Sequence, residues 1–334
     1  MDITIQKLEL TKALSLIQSI VEKRTTMPIL ANVLLVAGDG RLKLSATDLE
    51  ITATTYINAE VRENGSTTVS ARIFSDIVRE LPEGSVNLKL TEGERLGVVC
   101  GKTKVRIIGV SAEEYPTLPG IAFETKAKVP TALLGEMINK TLYAVSSDET
   151  RFNLNGICFS LTSEASAPKA ENCLKMVATD GHRLAMIERP IGELSFEGEV
   201  IVPKKGLSEM RRILDEQPSG EAGIEIKDGF LVLETNQTKI SMRLIDGEFP
   251  DYRQVLPRSK GVVATMPSGE IAQAMKRVAL LVTDKGKCVR FDFSPGKLKI
   301  SSSSPELGDA NEELAIKYNG EPLSVGFNAH YVFD

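Results

Sequence analysis

The sequence predicts an α+β protein built from three repeated modules, and three observations carry that expectation. Leu42-Lys43-Leu44-Ser45-Ala46-Thr47-Asp48 returns as Leu174-Lys175-Met176-Val177-Ala178-Thr179-Asp180, and more weakly as Leu298-Lys299-Ile300-Ser301-Ser302-Ser303-Ser304. An amphipathic stretch precedes each copy, at residues 8–23, 131–147 and 268–283. A Val-led strand-to-helix segment follows each: Val69-Ser70-Ala71-Arg72, Val202-Pro203-Lys204-Lys205 and Val325-Gly326-Phe327-Asn328. Repeats this widely spaced point to triplicated domains rather than to a solenoid.

Copy one opens with Met1-Asp2-Ile3-Thr4-Ile5, which alternates as a strand does, and continues with Leu10, Ala13, Leu14, Ile17 and Ile20 at helical spacing. Strand-like runs follow at 33–37, 41–46 and 51–61, with Gly38-Asp39-Gly40 as a hairpin signal between the first two. A second helix carries Phe74, Ile77, Val78 and Leu81 on one face, and Pro82-Glu83-Gly84 ends it. Further strands fill 86–91, 95–100 and 103–109. Copy two keeps this order, with helices near 131–147 and 204–216 and a small polar insertion, Ser163-Glu164-Ala165-Ser166-Ala167, read as a longer hairpin loop. Composition shifts near Phe123–Val129 and Leu256–Val262 place domains at 1–125, 126–257 and 258–334. Copy three stops at Asp334, soon after its Val-led segment, and is expected to lack roughly a helix and a few strands.

At 334 residues, 42% hydrophobic and 25% charged, with no apolar run able to span a bilayer, the composition is that of a soluble globular protein. No basic segment followed by an apolar one opens the chain, so a cytoplasmic location is expected. Cys100, Cys158, Cys173 and Cys288 stand singly, without a CxxC pair, and read as buried reduced thiols. A net charge of −5 argues against gripping nucleic acid by bulk electrostatics.

Catalytic signatures are missing. Gly97-Val98-Val99-Cys100-Gly101-Lys102-Thr103 has one residue too few between its glycines for a phosphate loop, and a strand pattern follows where a helix is required. His182 and His330 have no imidazole or thiol at ligand spacing, so no metal is expected, and no GxSxG elbow offers a nucleophile. Asp48 and Asp180 occupy equivalent positions in two copies, where a turn-forming Asp after a strand is the simpler reading.

The charges suggest another role. Predicted helices and their flanking turns carry Lys12, Lys23, Arg24, Arg72, Arg79, Lys140, Lys204, Lys205, Arg211, Arg212, Lys276 and Arg277, while many carboxylates fall in loops. If sheets lie outside and helices inside, the inner face can follow a phosphate backbone without reading bases. The basic strand Lys102-Thr103-Lys104-Val105-Arg106-Ile107 also contrasts with Leu280-Leu281 and the acidic stretch Glu306 to Glu313, which suits a head-to-tail contact between copies.

The whole chain resembles the bacterial sliding clamp family, the beta subunit of DNA polymerase III. The resemblance rests on Met27-Pro28-Ile29-Leu30-Ala31-Asn32, Ala46-Thr47-Asp48-Leu49-Glu50, Leu154-Asn155-Gly156, Ala178-Thr179-Asp180-Gly181-His182-Arg183-Leu184, Val202-Pro203-Lys204-Lys205-Gly206 and Gly247-Glu248-Phe249-Pro250-Asp251-Tyr252. It implies the DNA clamp fold: a homodimeric ring of six similar domains, antiparallel sheets outside and two helices per domain inside, encircling duplex DNA. It also implies a processivity factor with no catalysis and no cofactor, opened by a separate loader and tethering the replicative polymerase. Arg24, Arg72, Arg151, Lys204 and Lys205 would then face DNA. Leu154, Thr179, Gly181, His182, Arg183, Leu184, Pro250, Val255 and Tyr331 would line a cleft for partner peptides between the second and third domains. Lys102, Lys104, Val105 and Ile107 would meet Leu280 and Leu281 of the other protomer.

Two positions depart from the family pattern: Gln254 stands where an arginine is common, and Asp148 where an uncharged DNA contact is expected. A chain ending at Asp334 is expected to dimerise or bind peptides weakly, because the missing elements would leave apolar core exposed. The alternative reading is a truncated paralogue that binds replication proteins without encircling DNA. A third, an enzyme with an acid/base pair at Asp48 or Asp180, predicts lost turnover on mutation where a turn predicts only lost stability.

Overall fold

The computed structural model describes residues 1–21, 26–116, 127–163, 172–257, 261–282 and 288–334. Lys23, Arg24, the insertion from Glu164 onward and the first inter-module boundary lie outside the described residues.

Module one comprises β1 (Asp2–Gln6), α1 (Lys7–Gln18), β2 (Asn32–Gly38), β3 (Arg41–Thr47), β4 (Ile51–Asn58), β5 (Glu60–Glu63), β6 (Gly65–Ser70), α2 (Ala71–Glu80), β7 (Ser85–Thr91), β8 (Arg95–Cys100) and β9 (Thr103–Val110). Module two comprises β10 (Ala127–Pro130), α3 (Thr131–Leu142), β11 (Gly156–Ser163), β12 (Asn172–Thr179), β13 (Leu184–Gly192), β14 (Glu199–Pro203), α4 (Lys204–Asp215), β15 (Glu221–Lys227), β16 (Phe230–Glu234) and β17 (Thr238–Arg243). The remainder holds α5 (Ser268–Val278), β18 (Cys288–Ser294), β19 (Lys297–Ser304), β20 (Gly308–Ala315), β21 (Leu323–Asn328) and α6 (Ala329–Phe333).

Two compact units result, Met1–Phe249 and Pro250–Asp334. In the first, modules one and two share one sheet in the order β10-β15-β16-β17-β4-β3-β2-β6-β9-β8-β7-β1-β5. The join is β17 on β4, with Thr238 opposite Thr55, Ile240 opposite Ala53 and Met242 opposite Ile51. A four-stranded sheet, β13-β12-β11-β14, completes module two. The second unit has one antiparallel sheet, β20-β19-β18-β21.

The expected helix faces are the buried ones. Leu10, Ala13, Leu14 and Ile17 of α1, Phe74 and Val78 of α2, Leu134, Met137 and Ile138 of α3, and Leu207, Met210, Ile213 and Leu214 of α4 all enter one continuous core. Burying each large side chain is worth about 1.5–3 kcal/mol. The second unit relies on a smaller set around Met275, Val289, Phe291, Leu298 and Ile300. Helices end earlier than periodicity predicts. After α3 the Ser146 amide bonds to Leu154 O, 3.1 Å away, so the chain leaves the helix while Val145 stays buried.

Turn chemistry matches the sequence reading. Asp39 and Gly40 have φ of 49° and 69° in the β2–β3 hairpin, the left-handed pair that a two-residue turn needs. Gly101, with φ of 57°, closes the β8–β9 hairpin where a phosphate loop was rejected. Cys100, Cys158 and Cys173 are buried, but Cys288 is exposed, because it starts β18 on the outward side of the alternation.

Candidate functional site

Asp48 and Asp180 end β3 and β12 in the same turn. Asp48 Oδ1 accepts from the Glu50 amide at 3.0 Å and the Ile51 amide at 2.6 Å. Asp180 Oδ1 accepts from His182 at 2.9 Å and Arg183 at 3.0 Å. Ser304 repeats the arrangement in the second unit, its Oγ accepting from Glu306 and Leu307, each at 3.3 Å. The duplicated carboxylates are therefore turn-builders, with oxygens committed to backbone donors.

In module two the turn is tied to its surroundings by arginines. Arg183 Nε donates to Asp180 Oδ2 at 3.2 Å, Nη2 donates to Tyr143 O at 2.5 Å, and the guanidinium sits 5.3 Å from the Tyr143 ring centroid. Burial pushes the Asp180 carboxyl up, but the His182 and Arg183 amides and the Arg183 guanidinium outweigh it and hold the pKa below its ordinary value. Thr179 Oγ1 donates to Arg183 O at 2.7 Å and accepts from the Gly181 amide at 3.1 Å. Gly181, with φ of 87°, is exposed along with His182; Leu184 is half-buried and Leu154 buried. These residues thus form one neighbourhood of the first unit. Pro250, Val255 and Tyr331 belong to the second unit, where Val255 is 70% exposed and Tyr331 half-buried.

The cations expected to face DNA are less free than the sequence suggests. Lys205 Nζ lies 2.5 Å from Asp48 Oδ2, a carboxylate only 7% exposed, so this lysine ties α4 to the module-one turn. Arg151 Nε pairs with Asp148 Oδ2 at 3.1 Å. Lys204 Nζ donates to Ser147 Oγ at 3.3 Å. Arg72 is the most exposed of those described and meets Asp76 only at 3.9 Å. Carboxylates also sit on the helices themselves: Asp76, Glu136, Glu209 and Asp215 neutralise Arg79, Lys140, Arg212 and Arg211. Spacing of three or four residues brings these pairs together. Composition alone hid them.

Two cations outside the expected set join Arg72. Arg72, Arg79 and Arg212 line a polar depression of about 610 Å³ with Ser15, Ser19 and Ser70. Arg212 also links the modules, donating from Nη2 to Ser15 O at 2.7 Å, while Ser19 Oγ donates to Glu209 Oε2 at 2.5 Å. Recurrence of arginine on α2 and α4 was the available signal.

At the other end of module one, β9 pairs with β8 along its length, but with β6 only at Gly109 and Val110. Among the described residues the outer edge of Thr103–Ile108 has no strand beside it. Lys102 and Lys104 are exposed there. Ile107, expected at the protomer contact, is 6% exposed and belongs to the core, with Val105 packed beside it, whereas Ile108 is 80% exposed. Strand alternation explains this, since Val105 and Ile107 share the face that packs inward and Lys104, Arg106 and Ile108 the other. In the second unit, Leu280 is 76% exposed, Leu281 half-buried, and β20 is an edge strand carrying Asp309, Glu312 and Glu313.

Comparison with known proteins gives three consecutive family matches. The DNA polymerase III beta subunit N-terminal domain matches residues 1–119, its central domain 128–251 and its C-terminal domain 253–334. The chain is 35% identical over 339 residues to the beta sliding clamp of Caulobacter vibrioides (strain NA1000 / CB15N), covering 100% of this chain and 89% of that one. It is 35% identical over 337 residues to the beta sliding clamp of Escherichia coli (strain K12), with the same coverage of 100% and 89%. Among solved structures, a sliding clamp from Bartonella birtlesii bound to griselimycin aligns at a TM-score of 0.91 and 32% identity, covering 100% of this chain and 88% of that one. A C. crescentus clamp with polyethylene glycol bound aligns at a TM-score of 0.89 and 35% identity, again with 100% and 88% covered.

Proposed function

Because this chain belongs to the DNA polymerase III beta-subunit family, we infer that it works as a beta sliding clamp, the non-catalytic subunit that keeps the polymerase on its template. The observation that carries this is the run of three family domains, in order, across the length of the chain. A clamp acts as a dimer on DNA and binds the polymerase and other clamp-directed partners. We place this activity in the bacterial cytoplasm.

Linkage around a duplex explains how an acidic protein can serve DNA. Cations on α2 and α4, many half-neutralised by neighbouring carboxylates, offer weak and salt-sensitive contacts that slide. We assign duplex contact to Arg24, Arg72, Arg151, Lys204 and Lys205, with Arg79 and Arg212 added on the strength of the depression they share with Arg72. Lys205 contributes mainly as a junction residue, given its bond to Asp48. Partner-peptide recognition is assigned to Leu154, Thr179, Gly181, His182, Arg183, Leu184, Pro250, Val255 and Tyr331. For the dimer, the open edge of β9 with Lys102 and Lys104 is complementary to the acidic edge of β20 in a second copy, with the exposed Leu280 and half-buried Leu281 in the same unit as β20.

The test is retention on DNA after loading by a clamp loader and ATP. Retention on nicked circles with loss from linear duplexes is the expected result. Equal retention on both, or none on circles despite dimerisation, would favour a paralogue that does not encircle DNA.

A further inference from the structure

Arg151 stands between two surfaces that the proposed function uses separately. Its segment, Ser146–Arg151, runs from the end of α3 to the short turn Phe152–Leu154. One side of that segment faces α4: Lys204 Nζ donates to Ser147 Oγ at 3.3 Å, and the Lys204 amide donates to Asn155 O at 3.0 Å. On the other side the Arg151 guanidinium lies beside Gly181 of the Thr179–Leu184 turn. A Cβ added at Gly181 would lie 2.9 Å from Arg151 Nη1. Glycine at that position therefore leaves room for the guanidinium beside the turn.

Asp148 holds the arginine there. Asp148 Oδ2 accepts from Arg151 Nε at 3.1 Å, and Asp148 Oδ1 accepts from the Thr150 amide at 3.0 Å and its hydroxyl at 2.6 Å. The Arg151 amide closes the loop onto Asp148 O at 3.1 Å. Both side chains stay accessible, Arg151 at 45% and Asp148 at 42%, so an incoming anion can compete with the carboxylate. A phosphate held bidentately elsewhere would compete with Asp148 for the guanidinium and draw Nη1 away from Gly181. Exchange of Arg151 between these two anions would give the two arrangements that coupling between sites requires.

We propose that Arg151, positioned by Asp148, couples duplex DNA on the α3–α4 side to peptide affinity at the Thr179–Leu184 turn. Without DNA the guanidinium stands beside the exposed Gly181, where an arriving peptide must displace it. A DNA phosphate supplies another anion, draws the guanidinium away and leaves the space beside Gly181 to the peptide. The DNA-bound form then takes the peptide more tightly, and by reciprocity the peptide strengthens DNA binding. The inference rests on the assignments of the preceding subsection and adds a link between them.

A fluorescein-labelled C-terminal peptide of a polymerase III catalytic subunit is titrated with the full chain by anisotropy, with and without a short linear duplex at low salt. Wild type is expected to bind the peptide roughly fivefold more tightly when DNA is saturating. Arg151→Ala is expected to bind at the tighter level in both conditions, and Asp148→Asn to fall between. Thermal melts of both variants establish that they are folded, and Asp148→Asn keeps the test open should Arg151→Ala be unstable. If peptide and duplex each bind wild type but without mutual effect, or Arg151→Ala keeps the full DNA effect, the coupling is overturned and the two site assignments stand. If the peptide does not bind wild type at all, the assignments fail and the coupling with them.

Discussion

The turns after β3 and β12 share a backbone and differ in everything around it. In each, an Asp bonds the amides two and three residues ahead. Yet Asp48 gives its second oxygen to Lys205, which lies 157 residues away in module two, whereas Asp180 gives its own to Arg183 within the same turn. The residue after the Asp differs too. Leu49 holds a φ of 79°, a strained setting for a branched side chain, while Gly181 holds 87° without strain. One copy has turned the loop into a bolt between modules. The other keeps it self-contained, with a small residue and an imidazole exposed. A repeated local motif thus fixes a shape and leaves its use open.

The largest effect expected on this comparison comes from removing the carboxylates. Asp48→Ala deletes two amide bonds and the Lys205 pair, and is expected to destabilise the first unit by about 3 kcal/mol. Asp180→Ala should cost about 2 kcal/mol, since its ion partner is local, but should weaken peptide binding where Asp48→Ala does not. Urea unfolding with a peptide titration of each variant measures both. Equal loss of peptide affinity in the two variants would erase the distinction drawn between the loops.

A smaller effect is expected from pH. The native Asp180 carboxyl is held below its unfolded value, so its contribution is fully present above pH of about 4 and disappears as pH falls through the native pKa. Urea midpoints across that acid range should fall less steeply for Asp180→Asn than for wild type. Identical slopes would show that the carboxylate brings no net stabilisation.

The smallest effect is expected at Leu49. Leu49→Gly relieves the left-handed conformation at a half-exposed side chain and is expected to stabilise by about 0.5–1 kcal/mol. A raised Tm confirms it, whereas a lowered one means that Leu49 makes contacts worth more than the strain.

Much of this was legible without coordinates. Leu10, Ala13, Leu14 and Ile17 declare a helix face by spacing alone, and Gly38-Asp39-Gly40 declares its hairpin by the φ values that only such residues adopt readily. The Asp turns were readable from their place after a strand. Val105-Arg106-Ile107-Ile108 was harder, because apolar residues at two successive positions leave the alternation ambiguous, and packing against β8 put Ile107 inside and Ile108 outside. The helix ion pairs are written in the spacing of Arg72, Asp76 and Arg79, which the number of cations alone does not convey.

By itself, then, the sequence determined the repeats, their helices and hairpins and the shape of each turn, since these depend on neighbours a few residues apart. Only the tertiary structure decided that modules one and two share a sheet through β4 and β17, that Lys205 reaches Asp48, and that Arg151 comes beside Gly181. Such partners meet because distant segments are packed side by side, and local spacing carries no record of what a fold will bring within reach.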